Sequence, residues 1–397
     1  MRIAIDTLWE RGDSKASSAV DYLVNLCKYL PEVGPQHEYY ILVGNRSAHR
    51  FVDLTRSNMH LVNCLFSNDR RLLRILGQQS IVPVRLWSLG IDALFAAGNV
   101  CPLVGGYCRV LKINTLQHYH APHMIGAAKS TYRKAAFAAS ARVADAIVAN
   151  SSTTKQEICS LVGIEEKKVK TVWEAVDECF RPASPEERKL VRERFGLTKR
   201  YLLFSSTLWP YKNAHTLIRA FGSLVRQYHP DVELVIAGRV DELSYKAQLD
   251  SIVTEEALSG LVRFLGAVLN REMPALYSAA EMLVYPSLAE TFGKPLVEAM
   301  RCDLPVIASR ASCIPEILGG SGVLVDPNDI NALANAMHQV LTDEAMRSDL
   351  IERGRKQGSK FSWPESALQT LEVIESTYRS WYQHRHSRQR PIRESTL

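Results

Sequence analysis

The chain has 397 residues, 46% hydrophobic and 23% charged, with a formal net charge of +6. This is ordinary globular composition, at a length that suits two or three domains with a large core and no need of covalent staples. The longest apolar runs, such as "MLVYP" and "LLF", are far too short to span a bilayer, and "MRIAIDTLWERGD" lacks the long apolar core of a secretion signal. Eight cysteines, at 27, 64, 101, 108, 159, 179, 302 and 313, form no C-x-x-C pair and several lie inside apolar runs. They read as small core residues of a reduced, cytosolic chain rather than as zinc ligands.

Short apolar, β-branched runs alternate with helical patterns from the start. "RIAIDT" (2–7) precedes a helical run at 19–30. "YYILVG" (39–44), "HLVNCLF" (60–66), "DALFAAG" (92–98), "VLKIN" (110–114), "AIVANS" (146–151) and "VKTVW" (169–173) follow. Near-continuous apolar strands separated by helices predict a parallel sheet covered on both faces. Ser184, Pro185 and Glu187 then read as N-cap, first-turn proline and capping-box glutamate, with Gly196 as the stop of that helix. A second series follows: "YLLFSST" (201–207), "ELVIAG" (233–238), "VRFLG" (262–266), "MLVYP" (282–286), "PVIAS" (305–309) and "GVLVD" (322–326). The fold class is therefore α/β, two doubly wound domains in tandem with a cleft between them, and no fixed-period repeat. "FSWPESALQTLEVIESTYRSWY" reads as a long terminal helix with Pro364 in its first turn.

The positive charge is uneven. The end of the chain carries Arg379, Arg385, Arg388, Arg390 and Arg393 against Glu394, and "RRLLRILGQQSIVPVRLW" (70–87) mixes basic and apolar residues. Each segment is open to two readings: a solvated surface, or contact with an anionic membrane or a phosphate-bearing substrate. No nucleic-acid-binding motif accompanies them.

Open parallel sheets bind ligands beyond the carboxyl ends of their strands. The loop leaving "MLVYP" is "SLAETFGKPLVEAM", with Glu290 in the loop and Glu298 about one turn into the helix that follows. Gly293 permits close backbone approach. The amides of 293–296 and Lys294 favour an anion, and a carboxylate suits a vicinal diol. Two helix-end glutamates alone would be unremarkable surface charges.

The motif has wider context. "ETFGKPLVEAMRCDLPVIASRASCIPEIL" resembles the E-x7-E signature of retaining glycosyltransferase family 4 (group 1, GT-B fold), and so do its flanks. "DALFAAGNVCPL" and "RVADAIVANSSTTKQEI" resemble the N-terminal domain of that family. The resemblance spans about 92–376. It implies two Rossmann-like domains facing across a cleft: an acceptor domain at 1–182, a nucleotide-sugar domain at 183–363, a closing helix at 364–383 crossing back to the first domain, and a basic tail at 384–397.

The resemblance also implies roles. Glu290 contacts the donor sugar, Glu298 the ribose hydroxyls, and the backbone at Phe292, Gly293, Lys294, Pro295 and Leu296 the sugar and diphosphate. Lys212 matches the diphosphate lysine; Glu290 and Lys212 are the catalytic pair. Ser206 stands where glycine is common, and Tyr211 where an arginine is. Ser17 and Ser18 replace glycines after the first strand. Asn114 and Thr115 replace a His-Asp pair, with His118, His120 and His123 close by. Ser17, Asn114 and His118 are the acceptor-side candidates.

No D-x-D motif is suitably placed, so no metal and no cofactor is expected. The resemblance implies a UDP- or GDP-linked sugar as donor and a glycan or lipid-linked glycan in envelope polysaccharide synthesis as acceptor. The expected place is the cytoplasm, peripheral at the inner face of the membrane. A nucleotide-sugar epimerase and a non-catalytic binding protein are the alternatives. A dinucleotide oxidoreductase is disfavoured because no G-x-G-x-x-G follows a strand.

Overall fold

The computed structural model describes residues 1–9, 18–66, 70–116, 119 and 126–387. Every run read as a strand is one, and all pair in parallel. The first seven are β1 (Arg2–Asp6), β2 (Glu38–Val43), β3 (Met59–Asn63), β4 (Ala93–Ala96), β5 (Cys108–Ile113), β6 (Ala146–Ala149) and β7 (Val169–Thr171), ordered β3-β2-β1-β4-β5-β6-β7. The next six are β8 (Arg200–Ser205), β9 (Val232–Ala237), β10 (Val262–Gly266), β11 (Met282–Tyr285), β12 (Val306–Ser309) and β13 (Val323–Val325), ordered β10-β9-β8-β11-β12-β13. Both sheets wind outward in two directions from their first strand, so each has a switch point, at β1/β4 and at β8/β11.

The helices of the first series are α1 (Ser18–Val33), α2 (Arg71–Ser88), α3 (Ala127–Val143) and α4 (Ser152–Glu157). Those of the second are α5 (Pro185–Phe195), α6 (Ala214–Tyr228), α7 (Leu243–Glu255), α8 (Met273–Ser278), α9 (Lys294–Arg301), α10 (Ile314–Leu318), α11 (Ile330–Thr342) and α12 (Glu344–Gly358), and α13 (Trp363–Ser387) follows.

The chain divides into two compact units, Met1–Glu174 with the chain from Trp363 onward, and Ala175–Ser362. The division falls upstream of the boundary read at 182. Residues 175–184 belong to the second unit because Phe180 is buried against Tyr277 and the Ala183 N–H donates to Ser278 Oγ at 3.0 Å. The capping box opens α5 as read: Ser184 Oγ accepts from the Glu187 N–H, and Gly196 closes the helix in the left-handed region.

In the first unit, alternate strand residues serve opposite faces. Ala4, Leu42, Leu94, Leu111 and Ile147 form one core with Val82 and Leu86 of α2 and Phe137 and Ala141 of α3. Helices α1 and α13 pack together on the other side, with Tyr22 and Trp363 5.7 Å apart. There Lys112 is fully buried, 3.2 Å from Glu174 and over the Tyr22 ring. Six cysteines are buried, as read; Cys159 is half-buried, and Cys179 departs from the reading because it is exposed. No described helix is long and apolar enough to cross a membrane.

Candidate active site

The β8/β11 switch point of the second unit brings together residues far apart in sequence. After β8 the chain makes a short turn at Pro210–Lys212, and after β11 the loop 286–293 leads into α9. Lys212 Nζ pairs closely with Glu290 Oε1. Tyr285, the last residue of β11, donates its hydroxyl to the same Glu290 oxygen at 2.6 Å and accepts from Lys212 Nζ at 3.1 Å. Burial alone would lower the pKa of the Lys212 ammonium. The Glu290 carboxylate, with Tyr285 and Tyr211, outweighs that burial and holds the ammonium well above the usual lysine range. Lys212 is therefore charged at any physiological pH. An ammonium has three N–H donors; among the described residues Glu290 and Tyr285 take two of them.

The two loops are tied by hydrogen bonds. Asn213, buried and left-handed at φ 62°, donates its amide to the Pro286 carbonyl at 3.1 Å and the Pro327 carbonyl at 2.8 Å. The Leu288 N–H donates to the Tyr211 carbonyl at 2.8 Å, and Ser312 Oγ to the Glu290 carbonyl at 2.5 Å. Such cross-ties hold charged side chains in place before a ligand arrives. Ser206 lies where the backbone of the next strand passes closest: a Cβ on Gly238 would sit 1.7 Å from the Ser206 carbonyl oxygen. Only glycine fits there.

At the start of α9, Gly293 adopts φ 82°, a conformation that favours glycine. The reading that the amides of 293–296 all face a ligand needs correction. Pro295 has no N–H, and the Leu296 N–H donates to the Gly293 carbonyl at 3.0 Å. Leu296 and Phe292 are buried, Phe292 edge-on to Phe361, so these two side chains anchor the loop and do not line a site. Lys294 is half-buried at the first position of α9. Glu298, on the next turn, is half-buried and accepts from the Tyr277 hydroxyl at 2.8 Å. The burial of Tyr277 and the Glu298 charge keep that hydroxyl protonated, with its pKa far above the usual phenol range.

In the first unit, Ser17 and His118, like His120 and His123, lie outside the described residues. Asn114 sits at the carboxyl end of β5. Its N–H donates to Asn99 Oδ1 at 2.6 Å and its amide to the Ala97 carbonyl at 2.8 Å, so it braces the loop after β4. Sequence reasoning missed Tyr285, Tyr277 and Asn213 as partners of the site. Tyr285 and Tyr277 read as apolar core, and only their buried hydroxyls, which require a partner, carried a signal.

Two family models match the chain in tandem. "Glycosyltransferase Family 4" matches residues 19–179, and "Glycosyl transferases group 1" matches 186–357. The chain belongs to the group 1, family 4 glycosyltransferases. The second model contains Lys212, Glu290 and Glu298 and so frames the cluster just described.

Among curated relatives, O-antigen chain mannosyltransferase B of Escherichia coli is 32% identical over 230 residues, covering 57% of this chain and 59% of the relative. Serotype-specific mannosyltransferase WbdA of Escherichia coli is 31% identical over 235 residues, covering 58% of this chain and 28% of the relative. The matched part is thus less than two thirds of the length of each. Among solved structures, Anabaena HepE in complex with UDP and glucose has a TM-score of 0.74 at 21% identity, covering 95% of this chain and 100% of that one. WaaG, a glycosyltransferase involved in lipopolysaccharide biosynthesis, has a TM-score of 0.69 at 14% identity, covering 94% and 99%. These likenesses establish the GT-B fold, two Rossmann-like domains.

Proposed function

We propose that the chain is a retaining, metal-independent hexosyltransferase. It moves a sugar from a UDP- or GDP-linked donor to a glycan or lipid-linked glycan in envelope polysaccharide synthesis, on the cytoplasmic side of the membrane. The observation that carries the reading is the Lys212–Tyr285–Glu290 cluster, with Glu298 one helix on, at the switch point of a group 1 domain. The mannosyltransferase names of the curated relatives and the UDP and UDP-glucose bound by HepE support a hexose on a nucleoside diphosphate.

The chemistry follows from charge. As the bond from the sugar's anomeric carbon to the diphosphate breaks, negative charge grows on the leaving phosphate and positive charge on the sugar. The Lys212 ammonium and the start of α9 stabilise the former; Glu290 stabilises the latter. The acceptor oxygen bonds to the anomeric carbon on the face that the phosphate leaves, and its proton passes to the leaving phosphate oxygen. No side-chain base is required, which accommodates Asn114 in place of a histidine.

A thermal-shift screen against UDP, GDP, ADP and their sugars tests the reading, since a ligand that binds only the folded state raises the melting temperature. At least one nucleotide is expected to do so; no shift with any of them would overturn the assignment. Transfer is expected to persist in excess EDTA. Loss that magnesium or manganese restores would refute the metal-independent mechanism.

Peripheral contact with an anionic membrane is carried by α2. Leu72, Leu76, Val84 and Trp87 share its outward side and are 75%, 64%, 63% and 83% exposed. The helix contains no acidic residue. The exposed Arg70 precedes it, whereas Arg74 and Arg85 lie off the stripe and are half-buried, Arg74 donating to the Trp9 carbonyl at 3.2 Å. An exposed apolar side, preceded by Arg70 on a helix without carboxylates, fits a lipid surface with anionic headgroups better than an acidic or neutral protein groove. Burying one large apolar side chain stabilises by about 1.5–3 kcal/mol. Leu76→Ser with Trp87→Ser should therefore cut co-sedimentation with phosphatidylglycerol vesicles by about tenfold or more. Unchanged co-sedimentation would exclude α2 as the contact.

A further inference from the structure

The first unit carries a second concentration of positive charge that the proposed sugar transfer does not use. A groove of about 820 Å³ runs between β7 and α13. Lys167, Lys168, Lys170, His384 and Arg385 line it, with Asp145 as the one carboxylate among the described lining residues. Asp145 and Lys168 directly precede β6 and β7, so the groove opens at the amino-terminal ends of the strands, the opposite end of the sheet from the loops after β1, β4 and β5. Lys170 pairs in register with Val148 on the edge strand. The groove also lies on the α13 side of the sheet, whereas α2 packs on the other side. The lipid contact proposed for α2 therefore does not account for it.

The charges are poorly matched from within. Asp145 accepts the Arg109 N–H at 2.8 Å. Glu165 is taken by Lys167 at 2.7 Å. Lys168 donates to the Arg142 carbonyl at 2.8 Å and, among the described residues, has no carboxylate of its own within ion-pair distance. Burial pulls its pKa down, and the field of Asp145 restores it only in part. Lys170 is exposed and makes no ion pair among the described residues. Arg385 lies over the Trp381 ring at 5.1 Å and donates to the Gly106 carbonyl at 3.2 Å, which fixes its guanidinium at the rim while leaving other N–H groups to point outward. Trp381 is in turn stacked on Tyr378. A fixed arginine beside two lysines in a concave surface suits a phosphate group better than a carboxylate, because phosphate offers more acceptor oxygens and more charge. The volume leaves room for a sugar-sized group attached to it.

We propose that the groove formed by Lys168, Lys170 and Arg385 binds a phosphate-bearing ligand at a site separate from the donor loops. The phosphate could be supplied by a soluble diphosphate or sugar phosphate, or by a phospholipid headgroup, and the two arms of the test separate them.

In the first arm, inorganic pyrophosphate is titrated into the full chain, into Lys170→Glu with Arg385→Glu, and into Lys212→Gln. Both groove residues are exposed, so the double variant should fold. Binding that persists in Lys212→Gln and weakens at least about tenfold in the double variant is expected, since two charge-assisted contacts are reversed. In the second arm, the double variant is compared on phosphatidylglycerol and phosphatidylcholine vesicles in the Leu76→Ser, Trp87→Ser background. A loss of phosphatidylglycerol binding assigns the site to a headgroup, and a response to pyrophosphate alone assigns it to a soluble phosphate. Wild-type affinity and stoichiometry of the double variant in both arms would overturn the proposal. Neither arm depends on transfer activity, so failure here leaves the glycosyltransferase reading standing, and failure of that reading leaves this one testable.

Discussion

Glu290→Gln is expected to lower sugar-transfer turnover by about 10²–10³-fold, the range seen when one preorganised electrostatic group is removed from a reaction centre. The amide keeps the shape and one acceptor oxygen but loses the negative charge that faces the developing positive charge of the sugar. The same change leaves the Lys212 ammonium, 9% exposed, without its counter-charge. Breaking a buried pair from one side costs about 3–5 kcal/mol of stability, so a large fall in melting temperature should accompany the kinetic loss. The two effects separate in a double variant. Glu290→Gln with Lys212→Met removes both charges and should regain most of the stability but none of the turnover. A single variant whose turnover stays within about threefold of wild type would remove Glu290 from the chemistry.

Glu298→Gln should instead weaken nucleotide binding, by about 10–100-fold, while turnover at saturating donor changes little. A hydrogen bond to a charged group is worth about 1.5–3 kcal/mol, and two to the hydroxyls of one ribose act together. Glu298 is half-buried, and the Tyr277 hydroxyl donates to its Oε2 at 2.8 Å. Calorimetric titration of the nucleotide that gives the largest thermal shift reads the effect directly. If the affinity is unchanged, Glu298 does not hold the ribose, and the division of labour between the two glutamates fails.

The strands were the most legible part of the chain. Parallel strands covered on both faces must be apolar throughout, so runs such as "YLLFS" and "MLVY" announce themselves without any knowledge of their neighbours. The capping box at Ser184–Glu187 is equally local, because every group it uses lies within four residues. The two glutamates were legible as a spacing, and Lys212 as a position after a strand. Their partners were not. Tyr285 and Tyr277 look like core aromatics in sequence, and Asn213 looks like a turn residue, because what each hydroxyl or amide bonds to lies 5 to 114 positions away. The amides of 293–296 were over-read for a local reason: the bond from Leu296 N–H to the Gly293 carbonyl is a property of the turn, not of residue identity.

The sequence by itself determined the α/β class, the tandem arrangement and the family, because these rest on local periodicity and on motifs of contiguous residues. Tertiary structure alone decided which strands sit side by side. The order β10-β9-β8-β11-β12-β13 places the loops after β8 and β11 next to each other, and so puts Lys212 against Glu290 across 78 residues. It also decided which side of α2 faces outward. In a helix with apolar residues nearly all round, only the packing of Val82 and Leu86 onto the sheet shows that Leu72, Leu76 and Trp87 are left in water. Burial is a relation between distant segments, and a linear pattern states only what could be buried.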